Sequence, residues 1–376
     1  NYNETNIKSK QLFLLLLLGR RYITAQTVIE NPPLETRQGS IHTISKIELS
    51  PTETRLTIRT VFRPQWWTSL DSLTYIYAPE SKKQLYPLRI EGRKFGEQVT
   101  TPASGIIEDD CVITYPPLPE GTTRIDWMDD NLNSETNTYG ILLVKPQETK
   151  EQASLRKIHG NWQQADAQNG WDIGIYDSLA IMDNRFWKYD LCRKQGKKFK
   201  LNLKDETGEQ CLLEITQEKD GNLCIGKNGG KANKYIRAGR PQRNYAATTA
   251  ATAPQTAFFR KDTVHIRGFL DGYSPKLGFT TVLIYTDNHI TNEGTPAVVT
   301  IHPDGRFESD FVVNYPGVHH LSMGKNWMTF YIRPGETLML YINWEDHLDY
   351  LRQRRLKPML TETLYMGPSS SINQEL

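Results

Sequence analysis

Short segments in which apolar and polar residues alternate recur along most of this chain, and turns containing Gly, Pro or Asp separate them. The clearest example carries, at every second position, Leu56, Ile58, Thr60 and Phe62. A spacing of two places these side chains on one face of a β-strand, whereas an amphipathic helix repeats about every 3.6 residues. The pattern therefore predicts a mostly β protein built from hairpins that each bury one face.

The first two β-rich regions differ in their strand pattern. Residues 26–150 contain about seven short strands separated by turn signals, which predicts an immunoglobulin-like β-sandwich. Residues 151–245 contain successive hairpins with tight turns, for example at Gly208 and Gly221. Such a meander must close or pack to remove its unpaired edges, so we expect a small antiparallel β-barrel. Gly160-Asn161-Trp162 near its start is similar to the opening of lipocalin-like barrels.

The rest of the chain predicts a third β unit and a short helical end. Residues 256–345 contain further alternating segments with Gly turns, which predicts a second β-sandwich. Residues 346–376 predict the helical start of a further domain downstream, and we expect the chain to be a fragment of a longer protein. The polar stretch 146–150 and the Ala- and Thr-rich stretch 245–255 are the expected linkers between the units.

Composition excludes several classes of protein. The hydrophobic fraction is 38%, which is typical of neither a disordered chain nor a multi-span membrane protein. Lys and Arg number 45 against 43 Asp and Glu, so the net charge of +2 gives no general reason to expect nucleic acid as a partner. Several basic residues and no acidic residue lie between Asp220 and Asp262. A contact with a polyanion would use them, but a solvated linker face is the favoured interpretation.

The first 25 residues predict export. Lys8 and Lys10 precede the apolar run Leu12–Leu18, and the small residue Ala25 offers a cleavage point. A basic stretch, a short apolar run and a small-residue site are typical of a secretory signal peptide. The apolar run is far shorter than the roughly 20 residues that a membrane-spanning helix needs. We therefore expect a periplasmic or cell-envelope protein without a transmembrane span in its mature chain. The alternative is an apolar N-terminal helix.

No catalytic, metal or cofactor site is predicted from the spacing of reactive residues. The four cysteines are Cys111, Cys192, Cys211 and Cys224, and no Cys-x-x-Cys occurs among them. Each is expected within or beside a strand, where it packs as a small apolar residue or forms a structural disulfide. His319 and His320 are adjacent on an expected strand, so they face opposite ways and cannot easily bind one metal ion.

One pair of aromatic residues is a candidate binding site. Trp66 and Trp67 follow Arg63-Pro64, in an expected loop after the second strand. Exposed tryptophans would suit contact with a glycan or a peptide. The alternative is that one of the two enters the core, as is usual for adjacent residues of a strand.

Five stretches carry a resemblance to a known family through their order along the chain. They are Asn31-Pro32 through Glu35 with the strand Ile44–Leu49, Gly174–Asp177 with Asp183–Trp187, Ile301–Phe307, Tyr331–Thr337 and Met366–Pro368. In this order they resemble the N-terminal region of large exported TlpA-like thiol–disulfide oxidoreductases, a multidomain type common in gut Bacteroidetes. The likeness extends over nearly all the chain after residue 25.

The resemblance implies that this chain is part of an oxidoreductase but does not contain its catalytic residues. In that family, β-rich domains precede a helical segment and a thioredoxin fold, whose Cys-x-x-Cys supplies the reactive thiolate. Nothing here matches that motif, so no catalytic residue is carried over. The chain is then expected to be the non-catalytic front of such an enzyme, which positions or recruits protein substrates. The alternative is a stand-alone exported protein that binds a glycan or a peptide. The sequence predicts no oligomeric state.

Overall fold

A computed structural model describes residues 27–130, 136–144, 149–166, 170–239, 259–288, 291, 293–324, 326–353 and 363–376. It contains 54% strand and 6% helix, which confirms the predicted mostly β class. The chain forms two compact units, Asn1–Val144 and Lys145–Leu376. No helix within the described residues is long and apolar enough to cross a membrane. The predicted signal peptide lies outside the described residues.

The first unit is a β-sandwich. Its strands are β1 Thr27–Glu30, β2 Thr36–Arg37, β3 His42–Leu49, β4 Thr54–Val61, β5 Trp67–Thr68, β6 Thr74–Ala78, β7 Lys83–Leu85, β8 Arg89–Glu91, β9 Val99–Thr100, β10 Ile106–Tyr115, β11 Arg124–Asp129 and β12 Thr138–Leu142. One sheet has the order β1-β3-β4-β10-β8, and the other has the order β2-β12-β11-β6-β7. Strands β5 and β9 form a separate two-stranded ladder.

The core of the first unit lies between its two sheets. Leu56 and Ile58 of β4 are fully buried, as their alternation predicts. They belong to one apolar cluster with Trp127 of β11, on the facing sheet. The indole nitrogen of Trp127 donates a hydrogen bond to the hydroxyl of Tyr115 at 3.0 Å, so the only polar atom of this buried ring is satisfied.

The second unit begins with a closed barrel. After helix α1 Lys150–Leu155, the barrel strands are β13 Gly160–Gln164, β14 Ile173–Ile175, β15 Leu179–Met182, β16 Arg185–Gln195, β17 Lys198–Asp205, β18 Gln210–Gln217, β19 Leu223–Lys227 and β20 Asn233–Arg237. Each strand pairs antiparallel with the next, and β20 pairs with β13 to close the barrel. The predicted small barrel is therefore present, and its closure removes the exposed edges.

Side chains fill the barrel interior. Trp162, Phe199, Leu201 and Leu213 are almost completely buried in one cluster. The guanidinium of Arg237 stacks over the Trp162 ring at 4.0 Å and donates a hydrogen bond to the His159 carbonyl at 2.5 Å. A Cβ atom on Gly160 would lie only 2.1 Å from Nη1 of Arg237, so this stacking requires glycine.

A second sandwich follows the barrel. Its elements are β21 Asp262–Asp271, a 3₁₀ turn Pro275–Leu277, β22 Thr281–Asn288, β23 Glu293–Thr300, β24 Arg306–Val313, β25 Gly317–Met323, β26 Asn326–Ile332, β27 Thr337–Asn343, α2 Trp344–Gln353, β28 Leu364–Met366 and α3 Ser370–Glu375. One sheet has the order β24-β21-β27-β28, and the other has the order β23-β22-β25-β26. Strands β21 and β27 run parallel, and the other pairs run antiparallel.

The short helices expected at the C-terminal end are present, but a strand that the sequence pattern did not predict lies between them. Strand β28 extends one sheet by pairing with β27. Helix α3 then packs near the edge of the other sheet, where Oδ1 of Asn373 accepts from the Tyr331 amide at 2.6 Å and its Nδ2 donates to the Tyr331 carbonyl at 2.8 Å. The Asn373 side chain therefore takes the place of a neighbouring strand at this edge of β26, because it bonds both the amide and the carbonyl of Tyr331. The predicted linker 245–255 lies outside the described residues.

Candidate functional site

Trp66 and Trp67 lie where β4 leads into β5, and both side chains are exposed. The exposed fraction is 41% for Trp66 and 56% for Trp67, so neither ring enters the core. The alternative in which one of them packs inside is therefore wrong. The guanidinium of Arg63 lies over the Trp66 ring, 4.4 Å from its centroid. Arg63, Trp66 and Trp67 together are called the Trp surface below.

Backbone hydrogen bonds to one distant residue hold the Trp surface in place. The hydroxyl of Thr101 donates to the Arg63 carbonyl at 2.6 Å, and its amide donates to the Trp66 carbonyl at 2.9 Å. The Gln65 amide donates to the Thr101 carbonyl at 3.1 Å, with Gln65 in the left-handed region at φ 60°. Trp67 itself pairs with Thr100 across the β5–β9 ladder. These contacts order the loop without a ligand, so binding would cost little further backbone entropy.

A buried polar network connects the Trp surface to the sandwich. Nε2 of His42 lies 3.2 Å from the hydroxyl of Thr68, the residue after Trp67. On the other side of the ring, Nδ1 lies 2.9 Å from Oγ1 of Thr60, and Thr60 donates to Oδ2 of Asp110 at 2.6 Å. Nε2 of His42 also lies 3.2 Å from the carbonyl oxygen of Ser69, which can only accept, so which ring nitrogen carries the proton of the neutral ring depends on the tautomer.

Charge is also buried in this network. Nη1 of Arg93 donates to Oδ2 of Asp110 at 2.7 Å, and both side chains are almost completely inaccessible to solvent. Nε and Nη2 of Arg93 have no hydrogen-bond partner among the described residues. Burial, reinforced by the positive charge of Arg93, lowers the pKa of His42 to about 4, although the carboxylate of Asp110 acts in the opposite direction. His42 is therefore neutral at physiological pH.

A small cleft lies elsewhere on the first unit. Its volume is about 180 Å³, and its lining mixes apolar and polar side chains: Asn31, Pro32, Leu34, Arg37, Thr43, Ile44, Thr138 and Ile141. Part of the first stretch of the family resemblance lines it, since residues 31–35 cross from one sheet to the other. Sequence reasoning did not find this cleft, because it forms only when the chain between β1 and β2 meets β12.

The four cysteines lie on strands and none of them forms a disulfide, so the alternative of a structural disulfide is not realised. Burial raises the pKa of Cys111 to about 12, and burial also raises the pKa of Cys211. A hydrogen bond from the thiol of Cys224 to Oε1 of Glu218, at 3.2 Å, raises the pKa of Cys224. A raised pKa suppresses the thiolate, which is the nucleophile in thiol–disulfide exchange. These three thiols are therefore poorly suited to redox chemistry.

The histidine pair does not form a metal site with its surroundings. On β25, His319 is buried and packs against Phe330, whereas His320 is half-buried on the opposite face. Throughout the described part of the chain, no group of three His, Cys, Asp or Glu side chains is placed to hold a metal ion.

A group of aromatic side chains joins the barrel to the second sandwich. Tyr176, next to β14, stacks on Tyr341 of β27 with the ring planes 9° apart and the centroids at 5.4 Å. The Tyr176 hydroxyl donates to Oδ1 of Asn161 at 2.5 Å, and the Tyr341 hydroxyl donates to Oδ2 of Asp271 at 2.8 Å. Burial raises the pKa of both tyrosines well above the ordinary range, so both stay protonated. This cluster, with Phe269, is called the tyrosine joint below.

Several stretches of the family resemblance meet around the tyrosine joint. Arg306 extends from the second sandwich to Glu206 of the barrel at 2.8 Å, and its guanidinium lies 5.5 Å from the Phe186 ring. The amide of Asn184 donates to the sulfur of Met366 at 3.2 Å. Sequence reasoning noted Asn184, Phe186, Arg306 and Met366 as parts of motifs, but not Glu206, and it gave no sign that these residues form one interface.

Comparison with known proteins does not assign a family. The chain matches no protein-family model, and a search of curated proteins finds no match to it.

Proposed function

We propose that this chain is the non-catalytic front of an exported thioredoxin-like thiol–disulfide oxidoreductase, and that it recruits protein substrates. The Trp surface is the observation that carries the proposal. Two large aromatic side chains stand exposed where the loop after β4 meets β5, and hydrogen bonds to Thr101 already fix the backbone of this loop. Tryptophan is strongly enriched among the residues that dominate protein–protein binding energy.

The recruited substrate is an incompletely folded polypeptide. A substrate of a thiol–disulfide oxidoreductase exposes apolar side chains whenever its disulfides are unformed or wrong. The two indole rings of the Trp surface bind such side chains by apolar contact, and Arg63 adds a cation beside them. The tyrosine joint supports the positioning role, because it fixes the barrel to the second sandwich through stacked and hydrogen-bonded rings.

The test is a binding titration of the full chain with a labelled polypeptide held unfolded, such as reduced and carboxamidomethylated ribonuclease A. The measurement is fluorescence anisotropy. The double variant W66A/W67A is expected to bind at least about tenfold more weakly, because truncation of a dominant interface residue costs more than about 1.4 kcal/mol. The rings are exposed, so the variant keeps its core.

The matched control is Tyr86→Ala, which removes another exposed aromatic ring of the first unit, 50% accessible to solvent. This variant is expected to bind the polypeptide as the unchanged chain does. Equal binding by W66A/W67A and the unchanged chain would contradict the proposal. If soluble neutral glycans bind the Trp surface and unfolded polypeptide does not, the alternative of a glycan-binding protein replaces it.

A further inference from the structure

On the outer face of one sheet of the second sandwich, two neighbouring rows of residues contain no charged side chain. In the sheet β23-β22-β25-β26, alternate residues such as Val282, Ile284 and Leu321 belong to the core, so their neighbours face outward. Two neighbouring rows of outward residues run across the four strands in register: Val298, Leu283, Ser322 and Trp327, then Pro296, Tyr285, His320 and Thr329. Neither row contains Asp, Glu, Lys or Arg.

The outer face of the opposite sheet is divided between charged pairs on β21 and β24 and the apolar side chains of Phe269 and Tyr341, which belong to the tyrosine joint. There Arg267 of β21 pairs with Glu308 of β24 at 2.8 Å, and His265 pairs with Asp310 at 2.7 Å. Both faces belong to one sandwich and both carry polar side chains.

An aromatic pair lies across the uncharged face. The Tyr285 ring from β22 and the Trp327 ring from β26 meet above the intervening strand β25, with centroids 5.2 Å apart and planes 23° apart. They cover Ser322, which is only 6% exposed although it faces outward. The Trp327 ring remains 45% exposed, and its stacking on Tyr285 holds it in one orientation. An ordered aromatic ring loses little side-chain entropy when a ligand packs on it.

We propose that this face binds a neutral polysaccharide, with the Tyr285–Trp327 pair as its centre. The apolar C–H groups of a pyranose ring pack on aromatic surface, and its hydroxyls need donors and acceptors without formal charge. The hydroxyl of Thr329 supplies such a group beside the rings, and Val298, 68% exposed, extends the apolar surface across the sheet. An acidic polysaccharide or nucleic acid would need cations, and these two rows supply no Lys or Arg.

This site is separate from the Trp surface, which lies on the first unit, so the two proposals are tested by different variants. The experiment is native affinity electrophoresis of the full chain in gels that contain one polysaccharide each. Neutral β-glucan, galactomannan and amylose form the test panel, and polygalacturonate and heparin form the anionic panel. Retardation in at least one neutral gel and none in the anionic gels is expected.

The variants W327A and Y285A are expected to weaken retardation about tenfold or more, as for loss of a dominant contact residue. Val312→Ala, on the outer face of the opposite sheet and 51% exposed, is the matched control and is expected to bind normally. Thermal unfolding of each variant confirms that loss of binding is not loss of fold.

Three outcomes would overturn this proposal. One is no retardation in any neutral gel, and another is retardation that W327A and Y285A leave unchanged. The third is found by light scattering: a concentration-dependent dimer of the unchanged chain, lost in W327A, would show that the face is covered by a second copy of this chain.

Discussion

Acidification is expected to destabilise the first unit through a single buried side chain. His42 is neutral in the folded chain because burial lowers its pKa to about 4, while an unfolded chain has a histidine pKa of about 6.5. The unfolded state therefore binds a proton at a higher pH than the folded state. The contribution of neutral His42 to the free energy of unfolding is fully present above about pH 6.5 and is lost as the pH falls from 6.5 towards 4.

The size of this effect follows from the two pKa values. Each unit of difference corresponds to about 1.36 kcal/mol, so lowering the pH from about 7 to about 4.5 should remove roughly 2.5 kcal/mol of unfolding free energy. Protonation also puts a positive ring into the network that contains the buried guanidinium of Arg93. The ring contacts Thr68, so the base of the Trp surface is expected to loosen together with the sandwich.

The assay is urea unfolding at the two pH values, with hydrogen exchange of peptides from β3 and β4 as the readout for the first unit. His42→Asn removes the titration and keeps an amide that can donate to Thr60. Between the two pH values, the free energy of unfolding of H42N should fall by roughly 2.5 kcal/mol less than that of the unchanged chain. His347, whose pKa is also lowered to about 4 by burial, acts in the second unit and is unchanged in both proteins. If acidification lowered the free energy of unfolding equally in H42N and in the unchanged chain, the reasoning would be refuted.

Four further predictions concern the joint, the core, the thiols and the linkers. Tyr341→Phe leaves the Asp271 carboxylate without its hydroxyl donor and should cost about 1 kcal/mol of unfolding free energy in urea titration. Gly268→Ala puts a Cβ 2.0 Å from the Phe307 ring and should cost about 1–3 kcal/mol or more, measured by thermal unfolding. An insulin-reduction assay should show no turnover by this chain, and turnover lost on replacing one cysteine would contradict that. Limited proteolysis should cut first near 146–152 and 244–257, and protection there with cutting inside 279–342 would count against three units.

The strands were predictable because their signal is local. Alternation in β4 fixes which side chains face the core, and the same period of two separates the core row from the outward row in β22. The closed barrel followed from successive hairpins, since each tight turn brings neighbouring strands together. Strand β28 was missed because it has only three residues, and its pairing with β27 depends on the tertiary structure.

The candidate sites were harder to predict because they depend on distant contacts. The sequence placed Trp66 and Trp67 in a loop, but Trp67 lies on strand β5, and Thr101, which holds the backbone of Trp66, is 35 residues away from it. The Tyr285–Trp327 pair joins strands separated by 42 residues and becomes visible only when their register is known. The tyrosine joint likewise needs the packing of two domains, which no single stretch of sequence records.

The most direct test of the central claim is site-specific photocrosslinking. Trp67 is replaced by the photoreactive residue p-benzoylphenylalanine in the full chain, which is irradiated with reduced and carboxamidomethylated ribonuclease A. The same replacement at Tyr86 serves as the control. If the Trp surface recruits unfolded polypeptide, position 67 should crosslink to it strongly and position 86 should give only background. Equal crosslinking at both positions, or none at position 67, would contradict the account.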